Sequence, residues 1–242
     1  MTDRELIVAH APFSAVIFDF NGTLSDDEVL LCRLFQDIFS RRLGYQLSEE
    51  RYLALLSGLS DAEIVETVLS WVGRGGDSRV RDELHSEKVS RYRREVALRP
   101  RISGETVAVV RRIAQSVPVA VVTGAVHAEV DTALEACGIL DLFRAVVAGD
   151  DTAMGKPDPE GFLRASEVLV PATPSQILVF EDSWVGVQAA KAAGMMCVKV
   201  GDVQSQSKEG LSSDCIVDGL FESSLSWIYP LLGCNGDVAV HR

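Results

Sequence analysis

No apolar run in this chain approaches the roughly 18 to 20 residues of a membrane-spanning helix, and the N-terminal "MTDRELIVAHAPF" has early charges and no apolar signal region. The expectation is a soluble, cytoplasmic protein without a membrane partner. Cysteine is sparse. Cys32, Cys137, Cys197, Cys215 and Cys234 are scattered, odd in number and form no C-x-x-C pair. They read as buried free thiols in a reducing compartment, not as a disulfide framework. Basic residues are also short, 23 Lys and Arg against 35 Asp and Glu, for a formal net charge of −12. Such a field repels phosphate backbones and excludes nucleic acid as a partner. An anionic substrate would need local cations or a metal to offset it. There is no internal repeat and no low-complexity segment.

What remains is enough for one large domain or one carrying a smaller one: 242 residues, of which 47% are hydrophobic, so a core can be filled and disorder is excluded. Short apolar runs bounded by turn residues recur at 14–20, 117–124, 144–149, 176–182, 196–201 and 215–219. Their unbroken Val and Ile content predicts strands buried on both faces, as in a parallel sheet. Helical spacing separates them at 104–116, 126–138, 159–169 and 185–194. In the third of these, Asp158 is the expected N-cap and Pro159 the first helical residue. Alternating strand and helix predicts an α/β, doubly wound parallel sheet.

Residues 26–97 read differently. They hold amphipathic helical patterns and no strand run, with Ser48 and Ser60 as expected N-caps and Gly44, Gly58 and Gly73 as stops. The expectation is a helical insertion at 26–97, with 1–25 and 98–242 forming the α/β unit. Pro100 and Gly104 suit a hinge on the return.

Ligands of an open parallel sheet bind at the carboxyl ends of its strands. The first run ends in "FDFNGTL", with Asp19 and Asn21; the second ends in Thr123-Gly124; the fourth ends in Glu181-Asp182. The loop after the third carries Lys156 in "GKPDP". Singly, each has a plain structural explanation: a helix cap, a turn, a solvated lysine. Together they converge on one pocket.

Those four segments, "DFNGTL", "VVTG", "GKPDP" and "FEDSWVGVQAAKAAGM", resemble the four ordered motifs of the haloacid dehalogenase superfamily, in its β-phosphoglucomutase and phosphoglycolate phosphatase branch. The likeness runs from about Ser14 to Val217. It implies a Mg²⁺-dependent hydrolase of a small phosphorylated metabolite, with residues 26–97 as a cap. Asp19 would be the nucleophile that forms an aspartyl-phosphate. Asp19, Asp182 and the carbonyl of Asn21 would ligate the metal, and Glu181 would hold metal-bound water. Thr123, Gly124 and Lys156 would bind the phosphoryl group.

The chain departs from the pattern at three places. Asn21 stands where the family has the acid–base Asp, so an amide replaces a titratable group. That leaves open a different reaction, a weakened relative that binds a phosphorylated ligand, or a substitution. Leu31 stands where the mutases carry a His, and Ser57 and Asp61 stand in the stretch where they read a second phosphate. A bisphosphate mutase is therefore not expected. Superfamily enzymes that cleave carbon–phosphorus bonds use a cap lysine. The single lysine of 26–97, Lys88, lies in a charged helix and reads as a surface residue. Carbon–halogen cleavage uses the same Asp without a metal, which Glu181 and Asp182 argue against.

Overall fold

The computed structural model describes residues 3–169, 171–201 and 213–234. Its elements, in chain order, are α1 (Asp3–His10), β1 (Ala15–Phe18), α2 (Glu28–Leu43), α3 (Glu49–Leu55), α4 (Asp61–Trp71), α5 (Ser78–Leu98), α6 (Gly104–Ala114), β2 (Val119–Val122), α7 (His127–Ala136), β3 (Phe143–Val147), α8 (Glu160–Val168), β4 (Ile177–Glu181), α9 (Trp184–Ala192), β5 (Met196–Val200) and β6 (Cys215–Val217). Each apolar run supplies one strand. The six strands form a single sheet in the order β3-β2-β1-β4-β5-β6, parallel throughout. The chain winds outward from β1 to β3, then returns to the other side of β1 with β4. The switch point lies between β1 and β4, where Val16 pairs with Leu178 and Phe18 with Phe180.

Alternate residues serve opposite faces, as the pleat requires. Ile17, Ala120, Val122 and Val179 pack with Phe162 of α8 and Val187 and Ala190 of α9. Val16, Phe18, Val121 and Phe180 pack on the other face with Val109 of α6 and Val130 of α7. Phe18 stacks on Phe180 with ring centroids 5.4 Å apart. This second core continues into Phe35, Ile38, Leu69 and Leu84 of α2, α4 and α5, so the helical insertion shares apolar contact with one face of the sheet.

Two of the four insertion helices, α3 and α4, carry the expected N-caps, whereas α2 has no side-chain cap and α5 is capped by Asp77. The Ser48 hydroxyl accepts the Arg51 N–H at 3.2 Å. Ser60 and Glu63 form a reciprocal capping box. The two linkers to the insertion run together, with the Asp26 N–H donating to the Arg101 carbonyl at 2.9 Å.

Several expectations need correction. Lys88 is 1% exposed, not a surface residue, for a reason given below. α8 begins one residue later than predicted: Pro159 is its N-cap residue, and the Asp158 carboxylate accepts the Glu160 N–H at 2.9 Å. Residues 3–10, for which no element was expected, form α1, which buries Ile7 and packs near β6. The five cysteines are free, with Cys137 half-buried and the other four buried. Among the described residues no helix is long and apolar enough to cross a membrane.

Candidate active site

The loop after β1 turns tightly. The N–H groups of Leu24 and Ser25 both donate to the Phe20 carbonyl at 2.9 Å, and Gly22 N–H donates to the Ser25 carbonyl at 2.8 Å. Gly22 sits at φ +80°, and a Cβ there would lie 2.2 Å from Asp182 Oδ2. Only glycine lets the end of β4 press its carboxylate against this loop. Gly186, in the first turn of α9, does the same for the neighbouring acid: a Cβ would lie 1.6 Å from Glu181 Oε1. Two glycines 164 positions apart in the chain thus make room for two adjacent carboxylates.

Lys156 crosses from the loop after β3 into this acidic corner. Its Nζ donates to Asp19 Oδ1 at 2.5 Å, to Glu181 Oε1 at 2.5 Å and to the Val122 carbonyl at 3.3 Å. The second oxygen of Glu181 accepts the Ser183 N–H at 2.6 Å and the Ser183 hydroxyl at 2.9 Å. Ser183 also caps α9 by accepting the Gly186 N–H at 3.1 Å, so Asp182 is not needed as a cap. Asp19 Oδ2 is buried without a partner.

Carboxylate oxygens of Asp19, Glu181 and Asp182 lie within 4.8 Å of one another. Burial pushes the Asp19 carboxyl up to about 7, Lys156 opposing and Glu181 adding to the rise. Burial, then Glu181 and Asp19, push Asp182 well above the carboxylate range. Burial works against the charge on Lys156, but Asp19 and Glu181 outweigh it and hold its pKa above that of ordinary lysine. Three carboxyl groups thus face one ammonium, and the two raised acids show that the corner lacks positive charge to balance them. An orphaned buried oxygen and an all-oxygen donor set fit a small hard divalent cation such as Mg²⁺.

Thr123 and Gly124 follow β2 and share with Asp19, Asn21 and Lys156 the wall of a cavity of about 80 Å³. The Thr123 hydroxyl oxygen accepts the Ala125 N–H at 3.1 Å, which leaves its proton to donate. Ser60 of the insertion approaches Gly124 so closely that a Cβ there would be 3.5 Å from Ser60 Cα. The start of α4 thus overhangs the cavity. The structure brings Asp19, Asn21, Thr123, Gly124, Lys156, Glu181 and Asp182 into one wall.

Residues 13–194 match the family of haloacid dehalogenase-like hydrolases. The chain belongs to that family. This haloacid dehalogenase-like hydrolase is 32% identical over 194 residues to protein CbbY of Rhodobacter capsulatus, covering 76% of this chain and 83% of that one. It is 30% identical over 221 residues to a validoxylamine A 7′-phosphate phosphatase of Streptomyces hygroscopicus subsp. limoneus, covering 90% and 99%. Among solved structures it is similar to CbbY from Rhodobacter sphaeroides in complex with phosphate, with a TM-score of 0.74, 24% identity and coverage of 86% and 95%.

Two features of this hydrolase were not legible from its motifs. The first surrounds Asn21. Its Nδ2 donates to Asp27 Oδ2 at 2.9 Å, which also accepts from Ser25 Oγ at 2.8 Å and from the Tyr92 hydroxyl. Asp27 is fully buried, and burial is the main cause that pushes it up to about 6. Asn21 is thus a donor held by a carboxylate, a bond that an Asp at position 21 could make only if it or Asp27 carried a proton.

The second is Lys88 on α5. Its Nζ donates to Asp61 Oδ2 at 2.6 Å and to Glu129 Oε2 at 3.0 Å. Asp61 begins α4 and Glu129 lies on α7, so the lysine joins the insertion to the sheet-bearing part. Burial opposes its charge, but the two acids outweigh it and raise its pKa. An amine so held is protonated and cannot attack a carbonyl. The elements α4, α5 and α7 each place one member, which is why no local motif announces the cluster.

Proposed function

We propose that this chain is a Mg²⁺-dependent phosphatase of a small phosphorylated metabolite, working through an aspartyl-phosphate on Asp19. The observation that supports it best is Lys156 bridging Asp19 and Glu181 at the sheet's switch point, beside Asp182 and the Thr123-Gly124 turn. Membership of the family and the likeness to a validoxylamine A 7′-phosphate phosphatase support a phosphate ester as substrate. The five free cysteines support a reducing, cytoplasmic setting.

Asp19, Asp182 and the Asn21 carbonyl would hold the metal, which supplies positive charge to the phosphoryl oxygens. Asp19 offers a carboxylate oxygen to phosphorus; the bond to the ester oxygen breaks, and that oxygen leaves with its electron pair. Lys156 favours the ionised form of Asp19 against its burial. The Thr123 hydroxyl and the Gly124 N–H donate to the non-bridging oxygens. Water then cleaves the aspartyl-phosphate and returns Asp19. Glu181 positions Lys156 in addition to any contact with metal-bound water. Residues 26–97 act as a cap over 1–25 and 98–242, with α4 limiting water entry.

Asn21 keeps its backbone carbonyl but has no proton to give. General acid–base help is worth roughly 10²- to 10⁴-fold, so an alkyl phosphate, whose alkoxide needs a proton, loses most. An acyl phosphate loses little. The test is turnover of acetyl phosphate and of glucose 6-phosphate, with Mg²⁺ and after EDTA. Mg²⁺-dependent turnover that strongly favours acetyl phosphate is expected. Equal turnover in EDTA would refute the metal. A second reading, a feeble relative that binds a phosphorylated ligand, draws on the Asn21–Asp27 bond; it predicts tight phosphate binding with no turnover of either ester.

A further inference from the structure

The small cavity at Asp19 adjoins a larger one of about 470 Å³ that shares Ser60, Asp61, Glu63, Thr123, Gly124 and Lys156 with it. The two cavities together are the space open to the phosphate and to whatever it is attached to. Its charge is one-sided. Six carboxylate residues line the first cavity, and Asp150 and Asp158 are added by the second; Lys156 is the one Lys or Arg among the described residues in either wall. His85 also lines the second, 3.8 Å from Asp61.

Most of these groups are already committed. Asp19 and Glu181 balance Lys156. Asp61 pairs with Lys88. Glu63 accepts from the Ser60 N–H and hydroxyl, Asp158 from the Glu160 N–H and Asp150 from the His127 N–H. Asp182 belongs to the metal cluster. Glu28, the first residue of α2, keeps a free acceptor: it lines the small cavity beside Tyr52, with which its carboxylate interacts, and its Oε1 is buried without a hydrogen-bond partner. A divalent cation would offset the acids around Asp19, but it would leave no positive group for a second anion. Arg93 and Arg94 line an open groove that adjoins the second cavity through His85, Val126 and Asp150, but neither arginine belongs to either wall.

Resting on the phosphatase reading, we infer that the substrate carries a single phosphate on a neutral or cationic, hydrogen-bond-donating organic part, and that Glu28 is a specificity-determining residue that accepts from it. A carboxylate or second phosphate on a small substrate would meet the wall's own carboxylates without a counter-charge, a mismatch that disfavours wrong partners strongly. A hydroxyl or ammonium would instead satisfy the orphaned oxygen of Glu28, and a hydrogen bond to a charged acceptor is among the stronger ones.

The test is a series on one six-carbon skeleton: glucosamine 6-phosphate, glucose 6-phosphate and 6-phosphogluconate, with acetyl phosphate as the reference that has no donor. Affinity by calorimetry and kcat/KM are both read on the full chain with Mg²⁺. The expected order places 6-phosphogluconate last, about tenfold or more below glucose 6-phosphate. Glu28→Lys should shrink or invert that gap, and Glu28→Gln should remove any advantage of the amine over the hydroxyl. A 6-phosphogluconate that binds and reacts as well as glucose 6-phosphate overturns this inference while turnover of acetyl phosphate leaves the phosphatase reading standing. If no ester turns over, that reading falls, and the affinity order alone still decides the charge inference. A gap that Glu28→Lys leaves untouched removes Glu28 from the role.

Discussion

Two lysines of this molecule, Lys156 and Lys88, each sit between two carboxylates in very different surroundings. Lys156 sits between Asp19 and Glu181 at 2.5 Å from each; Lys88 sits between Asp61 at 2.6 Å and Glu129 at 3.0 Å. One cation cannot balance two buried acids, so each cluster is left wanting positive charge. At Lys88 a proton supplies it: burial pushes Glu129 up to about 8. At Lys156 the side chain is 14% exposed against 1% for Lys88, and a cavity adjoins Asp19, so a metal or a phosphoryl group can reach the deficit. On the proposed mechanism the cluster whose lysine opens to the cavity is reactive, whereas the Lys88 cluster, which meets the two cavities through Asp61 alone, is structural.

The comparison breaks most sharply at Asp19. On the proposed mechanism Asp19→Ala abolishes turnover of acetyl phosphate and leaves the unfolding midpoint near wild type. Turnover near the wild-type rate would show that the open cluster is as structural as the sealed one.

The next effect tests the missing proton. Asn21→Asp alone sets a second carboxylate against Asp27, so the two share a proton and the gain on alkyl phosphates is modest. Adding Asp27→Asn reverses donor and acceptor and keeps the bond. The double variant should then gain roughly 10²- to 10⁴-fold on glucose 6-phosphate and far less on acetyl phosphate. Equal gains on both esters would point to repositioning, not to acid–base help.

Lys88→Met should cost about 3–5 kcal/mol in urea unfolding, because it strands buried acids. Adding Glu129→Gln should recover part of this by removing one of them. A loss below about 1 kcal/mol would mean that the cluster is wetter than its burial implies.

Mg²⁺ at 100 times its Kd should stabilise the native chain by about 2.7 kcal/mol, and Asp182→Asn should erase most of that shift in Tm. An equal shift in the variant would move the metal elsewhere.

The smallest effect is a pH slope. The Glu129 pKa rises from an ordinary 4.5 to about 8 on folding, so the folded state holds a proton that the unfolded chain has released. Its contribution is full below pH 4.5 and fades as pH rises toward 8. Glu129→Gln should flatten the stability curve across that window; an unchanged slope would assign it to another group.

The strands, their parallel pairing and the helical nature of 26–97 follow from local pattern, because apolar runs with one geometry of burial announce themselves in consecutive residues. The ordered motifs likewise place Asp19, Thr123, Lys156, Glu181 and Asp182 at strand ends, and the topology then has one corner where they meet. Gly22 and Gly186 belong to those motifs, yet their purpose, room for Asp182 and Glu181, exists only once β1 and β4 are side by side. Lys88 misled for the opposite reason. Its neighbours on α5 are charged, and its partners come from α4 and α7, 27 and 41 residues away. Asn21 held by Asp27, and Glu28 with a buried oxygen facing no partner, are likewise products of the turn and of the insertion folding back on it. Local sequence determines which residues are buried in strands and which can cap helices; whether a charged residue is solvated, paired or left open to a ligand depends on what other segments bring to it, and that is decided only in the folded chain.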